Sequence, residues 1–99
     1  MAVHALALVV ELRIPAAGSL KAKRSVVKSI TETSRRRFAV AAAETDRHET
    51  WQRAQLGFAT VAGTPSHCED VMDEVERYVW SVGDAEVLDT RRHWLDTAD

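Results

Sequence analysis

Residues 3–14 read VHALALVVELRI, and they run through PAAGS (15–19) into LKAKRSVVKSITETSRRR (20–37). The first stretch alternates strictly: Leu6, Leu8, Val10 and Leu12 fall on one face, and Val3, Ala5, Ala7 and Val9 on the other. That period of two predicts a strand with one bulky face and one small-residue face. Pro15 and Gly18 stop it, and Ser19 then stands where an N-cap belongs. The helix that follows is expected to reach about Arg37, with Leu20, Val26, Val27 and Ile30 toward the core.

Outward from this strand–helix pair, Phe38 to Glu44 reads as a second strand and Arg53 to Ala62 as a third. The polar stretch Thr45–Gln52 forms the hairpin loop between them. Gly63 ends the third strand, and a second helix begins either with Thr64 as cap before Pro65 or with a Ser66/Glu69 capping box. Cys68, Val71, Met72, Val75, Val79 and Val82 recur at helical spacing as one apolar stripe. Gly83-Asp84 turns the chain into a last strand, about Ala85 to Trp94. The order βαββαβ predicts a ferredoxin-like α+β fold, a four-stranded antiparallel sheet with two helices on one face. A single domain is expected over residues 1–95, with a short tail at 96–99.

Composition agrees with one small globular domain. The chain has 99 residues, 45% hydrophobic and 28% charged. Its longest apolar run, about Ala5 to Val10, is far short of the ~20 residues that span a bilayer, and the N-terminus lacks a basic segment and cleavage pattern. One cysteine, Cys68, rules out an internal disulfide framework and fits a reducing compartment, so a cytoplasmic location is expected. The net charge of −2 hides an asymmetry. Residues 1–37 carry eight Lys/Arg against Glu11 and Glu32, a balance of +6, whereas residues 38–99 carry five against thirteen carboxylates, a balance of −8. Such polarity serves an anionic partner, or pairs within the molecule or across an oligomer interface.

Two surfaces follow from the predicted fold. If the helices cover the bulky residues, the opposite sheet face exposes Val3, Ala5, Ala7, Val9, Ala39, Ala41, Ala43, Gly57, Ala59 and Val61. A flat apolar patch of small side chains predicts homo-oligomerisation through the sheet, most simply a dimer, unless a loop or the tail covers it. The same composition leaves no aromatic platform there, so RNA recognition by base stacking on the sheet is not expected. The second surface is the first helix. Lys21, Arg24, Lys28 and Arg35 fall within an arc of about 60° at 100° per residue, with Arg36 and Arg37 behind them. Lys23 lies on the apolar side and is expected to snorkel outward. Three cations in a first turn oppose the helix dipole, so stability alone would not choose them. With the capping Ser19 and free backbone N–H groups, Lys21, Lys23 and Arg24 make a candidate anion site, for phosphate or an RNA backbone. The competing explanation pairs these cations with Glu69, Asp70, Asp73, Glu74 and Glu76 of the second helix, or with a neighbouring subunit.

Catalytic and metal chemistry finds little footing. His4, His48, His67 and His93 sit on four different elements, and no two tight ligand pairs exist, so no metal and no cofactor are expected. Cys68 belongs to an apolar stripe and reads as an inert core thiol. Glu44 and Asp46 at a strand end offer a carboxylate pair for acid–base work, but a solvated hairpin entry is the expected explanation. Acylphosphatases use this architecture with an Arg in the loop after the first strand and a water-positioning Asn; this chain has no asparagine, and its loop Pro15-Ala16-Ala17-Gly18 does not match. Trp51, inside the polar hairpin loop, and Trp80, off the stripe of the second helix, either fold back over a core edge or meet a partner.

The string Ser19-Leu20-Lys21-Ala22-Lys23-Arg24-Ser25, just after Leu12-Arg13-Ile14-Pro15, resembles the hallmark of the YlxP-like bacterial family of unknown function. Phe38-Ala39-Val40 into Ala43-Glu44, and Trp51-Gln52-Arg53-Ala54 before Leu56-Gly57, agree with it, so that the resemblance covers about residues 1–90. Many relatives carry an acidic residue where this chain has Ala22. The resemblance implies a ferredoxin-like small protein, and genes of such proteins lie beside ribosome maturation and translation-initiation factors. The expectation is therefore a non-catalytic binding protein, associated with ribosomal or structured RNA through the basic helix. The alternatives are a regulatory module for a small anionic ligand and a purely structural homo-oligomer.

Overall fold

In the computed structural model, which describes residues 3–95, the chain forms β1 (His4–Arg13), α1 (Leu20–Phe38), β2 (Ala41–Asp46), β3 (Arg53–Ala62), α2 (Pro65–Trp80) and β4 (Glu86–Trp94). The tail expected at 96–99 lies outside the described residues. The sheet order is β2-β3-β1-β4 and every neighbouring pair is antiparallel. With two helices as the crossovers, this is the ferredoxin-like α+β arrangement that the element order predicts.

The register explains which face is buried. Leu6, Leu8, Val10 and Leu12 lie opposite Thr60, Phe58, Leu56 and Ala54. All eight are buried, and all but Thr60 belong with Val27, Ile30, Met72, Val75 and Val79 of the helices to one hydrophobic core. Because side chains alternate along a strand, the partners between them, Ala5↔Val61, Ala7↔Ala59 and Val9↔Gly57, point to the other face. Ala41 and Ala43 of β2 extend that face beside Ala59 and Gly57.

The element ends carry the corrections. α1 runs through Phe38, one residue beyond expectation, and stops at Ala39, whose backbone is left-handed (φ 55°) while its N–H closes on the Arg35 carbonyl. The second strand therefore starts at Ala41 rather than Phe38, and Ala39 is a helix cap, not a member of the open face. β2 also extends past Glu44 to Asp46 through an irregularity at Thr45. β4 starts at Glu86, one residue later than expected. Of the two candidate caps for α2, Thr64 is used: its hydroxyl accepts the His67 N–H, with Pro65 at the first helical position. Among the described residues no helix is long and apolar enough to cross a membrane.

Candidate functional site

The first turn of α1 separates the cations that the sequence groups together. Ser19 is the N-cap, its hydroxyl accepting the Ala22 N–H at 3.1 Å. Lys21 and Arg24 then point to solvent, as does Lys28, whose Nζ lies only at the 4.0 Å limit from Glu32 one turn on. Lys23 does the opposite. It does not snorkel: it is fully buried, its Nζ 2.7 Å from Glu44 Oε2 and donating to the Arg47 carbonyl. Glu44 faces inward because it pairs with Leu56 on the helix side of the sheet. Glu44 Oε2 has no well-aligned hydrogen-bond donor, so the contact is held by charge. Lys23 ties α1 to the β2–β3 hairpin and offers nothing to an anion from solvent, which removes it from the candidate site.

The arginines that end α1 also part company. Arg35 donates to the Ala42 carbonyl of β2, covering part of an edge strand. Arg36 is exposed. Arg37 lies over two rings, 5.0 Å from the centroid of Phe38 and 5.3 Å from that of Tyr78.

The carboxylates of α2 do not neutralise α1. Asp73 and Glu76 are engaged by Arg92 of β4, at 2.8 Å and 3.2 Å. Burial alone would lower the Arg92 pKa, but its hydrogen bonds to Asp73 and Glu76 and the charges of those carboxylates raise it, fixing its charge. Among the described residues no Lys or Arg of α1 forms an ion pair with a carboxylate of α2. The pairing of Lys21, Arg24 and Lys28 with the carboxylates of α2 is thereby overturned.

On the far side of the sheet, the small-residue face is open. Val61 is 70% exposed and Val3 48%, and a shallow apolar depression runs over Ala7, Val9, Ala41, Ala43, Gly57 and Ala59. At its centre a Cβ on Gly57 would stand 2.8 Å from Thr45 Cγ2, so any larger residue there would push the Thr45 side chain aside. One end of the face is polar. Glu11 accepts from Gln55 Nε2 at 2.7 Å and from Arg47 Nε at 3.0 Å, with Arg91 3.8 Å away. Burial pushes the Glu11 carboxyl up, but the hydrogen bonds from Gln55 and Arg47 and the charges of Arg47 and Arg91 outweigh it, leaving its pKa below the ordinary value. Sequence reasoning missed this cluster, although a lone Glu11 interrupting the apolar alternation of β1 was its signal. Arg47 itself sits at φ 64°, joining the two faces: its carbonyl takes Lys23 and its side chain takes Glu11. Trp51 and Trp80 are 53% and 63% exposed, so neither folds back over the core.

Residues 6–92 match the family described as "Protein of unknown function (DUF503)". This chain belongs to the DUF503 family. It is also similar to the uncharacterized protein YlxP of Bacillus subtilis (strain 168), at 35% identity over 79 residues, which is 80% of this chain and 86% of that protein. The DUF503 match takes in the 19–25 string that carries the resemblance, and in this chain the structure divides that string by role. Ser19 caps the helix, Lys23 locks it to the hairpin, and Lys21 and Arg24 remain facing water.

Proposed function

We propose that this DUF503 protein is a non-catalytic binding protein that docks on ribosomal or other structured RNA through the exposed cations of α1, led by Lys21, Arg24 and Lys28 with Arg36 in support. The observation that carries this reading is the division of charge: Arg92 of β4 engages Asp73 and Glu76 of α2, and Lys21 and Arg24 are left without a carboxylate within 4.0 Å among the described residues. Cations placed against a helix dipole with no partner gain their value from an external anion. The mechanism is neutralisation of phosphates and recognition of backbone shape, since the central strands β1 and β3 place no aromatic on the open sheet face for bases to stack on. Co-sedimentation with ribosomal subunits at low and high salt tests it. Salt-sensitive binding that is lost in Lys21→Ala/Arg24→Ala/Lys28→Ala is expected; equal pelleting of wild type and variant rejects it.

We further propose that a second copy covers the open sheet face. Alanines and Gly57 keep its centre flat, allowing two sheets to approach closely, and the carboxylate at its rim, Glu11, is already neutralised by Arg47 and Arg91, so the face does not repel its own image.

A further inference from the structure

A cleft of about 310 Å³ lies between α1 and α2 on the helical layer, lined by Arg37, Phe38, Glu74, Arg77, Tyr78 and Ser81. Its size is at the lower end of small-ligand pockets. Tyr78 and Phe38 are half-buried with ring centroids 6.0 Å apart, and the Arg37 guanidinium lies over both. Neither Arg37 nor Arg77 has a carboxylate partner among the described residues, even though Glu74 lines the same cleft. The C-terminal end of α2 would ordinarily repel an anion, but the Ser81 N–H and hydroxyl both cover the Tyr78 carbonyl, the hydroxyl at 2.6 Å.

We propose that this cleft binds a nucleoside monophosphate unit, either as the free nucleotide or as an unpaired nucleotide of an RNA strand. The two guanidinium forks match a phosphate, which takes planar bidentate donors better than point charges. The Arg37 guanidinium, 5.0 and 5.3 Å from the Phe38 and Tyr78 ring centroids, together with the Tyr78 ring offers a stacking surface for a base. Glu74 supplies an acceptor for base N–H groups. An aliphatic phosphate would use the forks and leave the stacking surface idle, and a paired base in a duplex could not reach it. Only the RNA source of the nucleotide rests on the function proposed above; the cleft itself does not.

The test uses the full chain with two probes: a single-stranded octaribonucleotide carrying 2-aminopurine, and adenosine 5′-monophosphate. Arg37→Gln, Tyr78→Leu and Arg77→Gln serve as variants, the last leaving the Phe38–Tyr78 ring contact in place in case Tyr78→Leu loosens the helix pair. Quenching of the 2-aminopurine on binding is expected, with affinity lowered roughly fivefold or more by Arg37→Gln or Tyr78→Leu. If adenosine 5′-monophosphate competes, and moves the amide resonances of Arg77 and Tyr78, the free nucleotide is the ligand; if it does not, the RNA strand is. Binding of the octamer that is sensitive to Lys21 and Arg24, without quenching and indifferent to all three cleft variants, overturns the cleft and leaves RNA association standing. Nucleotide binding in the cleft with no RNA affinity does the reverse. Failure of both probes to bind overturns the cleft inference.

Discussion

Lys23→Met separates structure from function within the basic motif. The wild-type side chain is fully buried and its ammonium is 2.7 Å from Glu44, whose own side chain is 13% exposed. Methionine retains most of the stem but leaves that carboxylate without its cation, and the Arg47 carbonyl without its donor. Breaking a buried pair from one side costs about 3–5 kcal/mol; the residual water access of Glu44 places this case near the lower end, about 3 kcal/mol. In a domain of this size each kcal/mol moves the melting temperature by about 4–8 °C, so the variant should melt roughly 12–24 °C lower. Lys23→Met/Glu44→Leu should recover most of the loss, because a buried pair exchanged for apolar groups is nearly neutral. Urea and thermal unfolding followed by circular dichroism provide the measurement. A Lys23→Met variant within about 0.5 kcal/mol of wild type, the scatter of ordinary surface changes, would refute the reasoning, as would a double variant no better than the single. Where the variant is folded, its RNA affinity should equal that of wild type.

Glu11, with its depressed pKa, stabilises the fold above the unfolded carboxyl pKa of about 4.3 and loses that contribution as pH falls through its lower folded value. Acid unfolding of Glu11→Gln should therefore show a flatter acid limb than wild type, measured by fluorescence between neutral pH and strong acid. Ala59→Arg places a charge in the middle of the open face, where Ala59 is already exposed, and should yield a monomer by analytical ultracentrifugation with an unchanged far-UV circular dichroism spectrum. Ser19→Ala removes the hydroxyl that accepts the Ala22 N–H and should cost about 1 kcal/mol in urea unfolding.

The fold was legible because each signal was local. Alternation in β1, the Ser19 and Thr64 caps and the apolar stripe of α2 each follow from neighbouring residues, and β3 begins and ends at the expected Arg53 and Ala62. The end of α1 was harder to read, because Ala39 adopts a left-handed cap usually given to glycine. The candidate site was legible in composition and not in contacts. Helical phase sets Lys23 on the apolar side and Lys21 toward solvent, but the inward-facing Glu44, brought over by β2 pairing, is what keeps the Lys23 ammonium buried instead of snorkelling. The Glu11 cluster and the Arg37–Tyr78 stack join residues 36 and 41 positions apart in the chain, a separation that no periodicity encodes.

RNA association through α1 makes a quantitative demand that a single salt series can check. A fluorescent ribosomal RNA fragment is titrated with wild type and with Lys21→Ala/Arg24→Ala/Lys28→Ala, and the logarithm of affinity is plotted against the logarithm of salt concentration. If each cation neutralises one phosphate, the variant binds more weakly and its slope is shallower by about 2 to 3 units, at roughly 0.7–0.9 per phosphate. Parallel lines with equal affinity would mean that the exposed cations of α1 do not hold RNA.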